Sequence, residues 1–293
     1  MKNRIPNLFL IGAPKCGTTS LYRYLSVHPD IFTPDIKEPN YLIYKKLVEL
    51  DASRKKLNRA IKTSDDYQKL YQSAEDEKYL LDGTIFTYCF EESQNMLKKV
   101  SPDYKAILIL RNPVERFISH YQMSCNLGDV KSDIVEYVKN PMSGMGMNTI
   151  WLGMYSEHLE KIYKNLGRDN VHILLLDDLK ADTEKVLADL YDFLGLSFVK
   201  PENSGTAYLR TKGMARSSAL RNLYLENKLI RSIKKLLKNT SIYNLKNSIN
   251  KRLYREWTAP DYIKRILYDY YIEDIDKTEE LLGRSLDCWR KHE

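Results

Sequence analysis

A chain of 293 residues with 43% hydrophobic and 29% charged side chains has ample material for a core and is too apolar to be disordered. Its four cysteines, Cys16, Cys89, Cys125 and Cys288, make no C-x-x-C pair, and its five histidines fall at no ligand spacing, which argues against a disulfide scaffold or a zinc module. The net charge of +7 is uneven: residues 200–257 hold 14 Lys/Arg against 3 Asp/Glu, leaving −4 elsewhere, and such a basic field suits an anionic ligand.

No apolar run approaches the roughly 20 residues that span a bilayer. Lys2 and Arg4 precede an apolar stretch, Leu8–Ala13, but it is short and runs into Pro14-Lys15 with no cleavage-like end. It reads as a buried strand, and the protein as cytoplasmic.

Asn7–Gly12 predicts a strand, Pro14–Thr19 a tight loop, and Leu21-Tyr22-x-x-Leu25 a helix halted by His28-Pro29. Asp65–Ser73 predicts a short helix and Tyr79–Leu81 a short strand before the turn Asp82-Gly83-Thr84. Ala106–Leu110 is the strongest strand, with five apolar residues and no alternation. It ends in Arg111-Asn112-Pro113, and Val114–Met123 then has a helical pattern. Trp151–Leu166 predicts one long amphipathic helix, Val171–Leu176 a strand, and Asp182–Leu194 a helix stopped by Gly195. Beyond Lys200 the chain is basic and reads as mostly helical, ending in a helix over Tyr262–Leu282. Strands alternating with helices imply an α/β fold, a parallel sheet with helices on both faces and a helical C-terminal part. No linker interrupts the pattern, so residues 1–293 read as one domain.

Gly12-Ala-Pro-Lys-Cys-Gly17-Thr18-Thr19 nearly fits the phosphate loop G-x-x-x-x-G-K-[ST], with glycines that let backbone amides close on an anion at a helix N-terminus. Thr18 stands where a nucleotide triphosphatase has lysine, and the lysine has moved inside the loop, to Lys15. Pro14–Leu21 thereby resembles the phosphosulfate-binding loop of sulfotransferases that use 3′-phosphoadenosine-5′-phosphosulfate (PAPS). The resemblance implies a P-loop-like sheet, a metal-independent reaction, and donor contacts from Lys15, Cys16, Gly17, Thr18, Thr19 and Ser20. Lys15 would lie on the sulfuryl group and the leaving phosphate.

Arg111-Asn112-Pro113-Val114-Glu115-Arg116-Phe117-Ile118-Ser119 resembles the 3′-phosphate site of the same family, with an Arg at a strand end and a Ser eight residues on. Independently of the resemblance, Arg111 sits just past the carboxyl end of a strand, where open α/β sheets bind ligands, and its guanidinium can grip a phosphate. Its alternative is a local pair with Glu115. Thr211–Ser217 is similar in position to the late basic loop that closes over the donor, which adds Lys212, Gly213 and Arg216.

Lys37-Glu38-Pro39-Asn40 resembles the K-E-P-H segment of bacterial and glycosaminoglycan sulfotransferases, whose Glu is the proposed general base. Glu38 is the implied base here, with Asn40 where many members carry His. His120 and His28 are the rival bases. Weaker similarity runs through Leu174–Leu179, Phe193–Leu196 and Leu281–Trp289, and thins between Asn126 and Trp151 and between Leu220 and Pro260. Those parts, with the insert Tyr44–Ser64, are expected to shape the acceptor pocket. The implied acceptor is a hydroxyl, or an amine, of a carbohydrate or glycolipid, with a small secondary metabolite as the alternative.

Two other classes stay open on the residues alone. A P-loop kinase would use Asp177, after an apolar strand, to hold Mg²⁺, yet it would lack the lysine after Gly17. A nucleic-acid or membrane-surface binder would use the basic stretch, where Leu225, Leu229, Ile230, Ile233, Leu236 and Leu237 share one helix face. Nucleic acid is not expected as a partner; peripheral membrane contact is compatible with that face.

Overall fold

The computed structural model describes residues 4–50, 57–143, 146–201, 213–215 and 254–290. Leu8–Gly12 (β1) and Lys105–Leu110 (β4) carry no polar alternation because both of their faces are covered, and all of Leu8–Gly12 and Ala106–Leu110 is buried. Between and beside them lie Ile31–Phe32 (β2), Tyr79–Asp82 (β3) and Val171–Leu175 (β5). The five strands form one parallel sheet in the order β2-β3-β1-β4-β5. In register, Leu8 faces Leu81 on one side and Lys105 on the other, and β4 pairs with β5 from Ala106↔Val171 to Leu110↔Leu175. The chain leaves β1 toward β2 and β3, then crosses to β4 and β5. The reversal of direction between β1 and β4 opens a crevice past their carboxyl ends.

Helices flank this sheet. Thr18–Leu25 (α1) follows the first loop, and Tyr44–Glu49 (α2) and Ser64–Lys69 (α3) precede β3. Glu91–Val100 (α4) leads into β4, and Pro113–Leu127 (α5) leaves it. Then come Ile134–Lys139 (α6), Tyr155–Leu166 (α7), Leu176–Ala181 (α8), Thr183–Leu194 (α9), Asp261–Leu282 (α10) and Asp287–Arg290 (α11). The sequence explains several boundaries. Asn112 accepts from the amides of Val114 and Glu115 and Pro113 takes the first helical position, so α5 begins directly after β4. Asp182 caps α9 through the amide of Lys185, and Gly195 ends it in the left-handed conformation.

Two expectations change. The helix expected over Trp151–Leu166 is two pieces, a 3₁₀ turn at Trp151–Gly153 and α7 from Tyr155. The break has a tertiary cause. Met154 offers no capping side chain, and the carboxylate of Asp274 on α10 accepts instead from the amides of Tyr155 (2.7 Å) and Ser156 (3.0 Å) and from the Ser156 hydroxyl (2.6 Å). The last strand stops at Leu175, and Leu176 opens α8. In the basic region, the described residues form a small antiparallel pair, Met214–Ala215 (β6) with Tyr254–Arg255 (β7). The apolar helical face expected around Leu225–Leu237 lies outside the described residues, among which no helix is long and apolar enough to cross a membrane.

The C-terminal end is tied to the strand ends. Trp289 is buried, its indole N–H donates to Asp177 (3.0 Å), and its carbonyl accepts from the Asn112 amide (3.0 Å). Arg290 pairs with Asp276, Glu279 and Asp287. The Asp274 cap yields a stability test. Asp274→Ala leaves two buried amides without their acceptor and should lower unfolding free energy by about 2 kcal/mol, read as a lower urea midpoint at unchanged slope.

Candidate active site

One backbone hydrogen bond, from the Ala13 amide to the Ile109 carbonyl (2.9 Å), carries the pairing of β1 with β4 past the end of β1. The chain then turns tightly. The Cys16 amide bonds back to Ala13 (3.2 Å), Lys15 adopts φ 73° and Gly17 φ 94°. A side chain at Gly17 would also meet Leu176 at 2.6 Å, so glycine is required there on two counts. The amides of Ser20 and Leu21 return to the Gly17 carbonyl, whereas those of Gly17, Thr18 and Thr19 find no backbone acceptor among the described residues. Three amides at the start of α1 thus remain open, the arrangement by which helix N-termini bind anions. Cys16 contributes backbone only, since its side chain is buried beneath the loop.

Lys15 is mostly buried, and its ammonium lies 3.5 Å from the Met123 sulfur, a weak acceptor that leaves the charge largely uncompensated. Burial lowers its pKa to about 8, with Arg111 and Arg116 adding to the effect and Cys16 and Glu38 opposing it. Arg116 itself is fully buried. It contacts His120 Nδ1 (3.3 Å) and donates to the Thr149 carbonyl, and its Nε has no partner.

Arg111 forms the local pair the sequence allows, one Nη bonding Glu115 (3.2 Å), while the other reaches the Lys15 carbonyl (3.4 Å), so the guanidinium lies against the loop. Ser119 is two turns into α5 and buried. Gly213, at φ 82°, gives its carbonyl to Asn126 of α5 (3.0 Å), and any Cβ there would strike the Arg255 carbonyl at 2.2 Å. The late loop therefore meets α5 at Gly213. Lys212 and Arg216 lie outside the described residues.

The segment bearing Glu38 is pinned on the end of β3. The Asn40 amide donates to Thr84 Oγ1 (3.2 Å), and its side-chain amide donates to the Glu38 carbonyl (3.0 Å). Asn40 adopts φ 56°, which asparagine tolerates better than most residues. Gly83 admits the Lys37 carbonyl, which a Cβ would meet at 2.6 Å. Beneath them the buried Asp82 accepts from the Thr84 amide (2.6 Å) and the Tyr67 hydroxyl (2.5 Å), and burial pushes its pKa up. Glu38 is 38% exposed, with Oε1 held by Lys37 at 2.8 Å, and its charge acts on both Lys15 and Asp82.

The rival bases are differently placed. His28 is buried beyond the end of α1. Nδ1 accepts from the Asp30 amide (3.1 Å), so the proton resides on Nε2, which donates to the Ser197 carbonyl (2.9 Å). His120 is buried on α5 against Arg116. Asp177, the kinase-type acid, accepts the Trp289 indole N–H in the first turn of α8.

The family model described as "Sulfotransferase domain" matches residues 6–256. The chain belongs to the sulfotransferase family. Carbohydrate sulfotransferase 15 of Mus musculus is 22% identical over 246 residues, covering 66% of this chain and 44% of that protein. Heparan sulfate glucosamine 3-O-sulfotransferase 6 of Homo sapiens is 23% identical over 202 residues, covering 68% and 54%. The sulfotransferase chain thus spans about half the length of the curated relatives it matches. A solved sulfotransferase from Alicyclobacillus acidocaldarius superposes with a TM-score of 0.71 at 21% identity, covering 98% of this chain and 100% of that one, and shares the fold.

Thr84 lies beneath Asn40 in the turn Asp82-Gly83-Thr84 that the sequence does mark. Two contributors are not marked in the sequence, Met123 beside Lys15 and Tyr155, which touches both halves of the site. Their contacts are 44 residues apart in sequence or more, and no local pattern marks them. Asn112-Pro113 was readable as a helix start, for it is a strong N-cap pair. The left-handed backbone at Lys15 makes a prediction. Lys15→Gly should be more stable than Lys15→Ala by about 1 kcal/mol, because only glycine relieves the strain, and chemical denaturation of the two variants measures the difference.

Proposed function

We propose that this sulfotransferase moves the sulfuryl group of PAPS to a hydroxyl of a carbohydrate acceptor. The observation carrying the reading is the convergence, past the ends of β1 and β4, of the open amides of Gly17–Thr19, the poorly compensated Lys15 and the guanidinium of Arg111. PAPS is anionic at both ends of its adenosine, and this donor set suits it. The open amides of Gly17, Thr18 and Thr19, together with Lys15, would take the 5′-phosphosulfate, with Cys16 and Ser20 shaping the loop around them. Arg111 and Ser119 would take the 3′-phosphate, with the late loop of Lys212, Gly213 and Arg216 closing over them. The carbohydrate assignment draws support from the names of the curated relatives.

The reaction follows as an in-line displacement. The acceptor oxygen attacks sulfur as the bond from sulfur to the 5′-phosphate oxygen breaks, giving a sulfate ester and adenosine 3′,5′-bisphosphate. The acceptor proton passes to Glu38, whose Oε2 is the oxygen away from Lys37. Negative charge grows on the leaving phosphate oxygen, and the Lys15 ammonium, buried where water screens it weakly, stabilises it. Lys15 thereby supplies charge compensation that kinases draw from Mg²⁺ and the lysine after the second loop glycine. The acid of the kinase alternative, Asp177, instead accepts the Trp289 indole N–H.

Release of adenosine 3′,5′-bisphosphate from PAPS, followed across a panel of glycans without divalent metal, tests the assignment. Lys15→Ala should lower kcat at least ~100-fold with bisphosphate affinity changed far less, and Glu38→Gln should lower kcat by a similar factor. Full turnover in either variant moves that role to another residue.

A pH dependence follows from Lys15. Below about pH 8 the free protein already carries the ammonium, so binding recruits no proton there. Above it, binding an anion must first restore the charge. Bisphosphate affinity should be flat from pH 6.5 to 7.5 and fall as pH rises past about 8, with Lys15→Arg flattening the profile in calorimetric titrations.

A further inference from the structure

Two chemically different segments meet past the ends of β1 and β4, and one buried side chain touches both. Tyr155 is 1% exposed, and its hydroxyl donates to the Arg111 carbonyl at 2.9 Å. The same oxygen lies 3.5 Å from the Cys16 sulfur. A phenol has one proton, and a carbonyl can only accept. With that proton given to Arg111, the phenol oxygen accepts from the Cys16 thiol. Burial pushes the pKa of both groups up, so each keeps the proton that its bond requires. The direct link between the segments, from Arg111 Nη1 to the Lys15 carbonyl, is longer at 3.4 Å and rests on a guanidinium shared with Glu115.

Tyr155 is itself held from behind. Its amide donates to Asp274 of α10, and its ring packs on Trp289 with centroids 5.8 Å apart. Trp289 is fixed in turn by Asp177 and Asn112, the residue that follows Arg111. A phenylalanine would fill the same space, and only the hydroxyl reaches both segments.

We propose that Tyr155 is a positioning residue that fixes the spacing between the 5′-side loop and the 3′-side arginine, so that a nucleotide anionic at both ends binds across a prepared gap. This rests on the donor reading above. A ligand engaging two half-sites gains from their fixed separation, because its second contact forms at high effective concentration, and a ligand engaging one half-site gains nothing from it. Loss of the bridge therefore selects against the doubly anionic ligand alone.

The test titrates wild type and Tyr155→Phe with adenosine 3′,5′-bisphosphate, adenosine 5′-monophosphate and adenosine 3′-monophosphate by calorimetry. In the variant the bisphosphate should bind about tenfold more weakly while each monophosphate stays within about twofold. In turnover, the KM for PAPS should rise with kcat at saturation nearly unchanged. Unchanged bisphosphate affinity overturns the proposal, and so does equal weakening of all three ligands, which marks a merely structural role. Cys16→Ala, which cuts one arm of the bridge, must show the same selective loss to a smaller degree, and it decides the matter if Tyr155→Phe does not fold. A wild-type chain that binds the bisphosphate no better than the monophosphates overturns the donor reading and the bridge with it. That outcome appears before any variant is compared.

Discussion

The Ala13 amide bonding to Ile109 makes β1 and β4 end side by side, and the rest of the site depends on that adjacency. Each strand then releases a segment of different chemistry. After β1 come open amides and a lysine; after β4 come an arginine and a helix that starts at once because Asn112 and Pro113 force it. Neither segment alone makes a nucleotide site. Parallel pairing in the centre of a sheet, buried on both faces, brings the two segments side by side.

Electrostatics then sets what the crevice accepts. Arg111 and Arg116 lie close enough to Lys15 to disfavour its charge, and Arg116 contacts His120 and the Thr149 carbonyl, neither of them an anion. Such an arrangement is unfavourable in the empty protein and becomes favourable when an anion enters. Part of the unfavourable energy is also conformational. The described non-glycine residues with positive φ are Lys15 and Asn40, one at each candidate catalytic segment. Backbone strain held at a site by over-determined surroundings fits a role in presenting groups to a ligand. At Asn40 those surroundings are visible: Thr84, the Glu38 carbonyl and the buried Asp82 below.

The sheet was largely legible in the sequence, because doubly buried strands leave uninterrupted apolar runs such as Ala106–Leu110, and the loop was legible because an anion cradle needs glycine in set places. Interactions between distant segments were not. Nothing near Met154 announces that Asp274, some 120 residues later, will start α7 there and divide the helix expected from Trp151. Amphipathic periodicity continues across the break, since both pieces pack the same way, and periodicity alone cannot detect a cap supplied in trans. Arg111 shows the opposite case. The sequence offered a local ion pair and a ligand-facing guanidinium as alternatives, and the geometry contains the ion pair together with a contact to the Lys15 carbonyl that sequence spacing does not show, because two Nη atoms can point different ways.

The C-terminal helices do more than complete the core. Asp274 positions the start of α7, α7 begins with Tyr155, and Tyr155 contacts the loop after β1 and the backbone after β4. Trp289 closes the circuit by bonding Asn112 on one side and Asp177 on the other. Lys15, Arg111 and Ser119, which approach the proposed donor, come from the first half of the described chain, whereas their spacing is set through Tyr155 by residues from its end. A site assembled this way depends on the docking of the last helices. Substitutions in α10 and α11, far from any reacting atom, would therefore be felt as altered nucleotide affinity as well as lost stability, because the same contacts carry both.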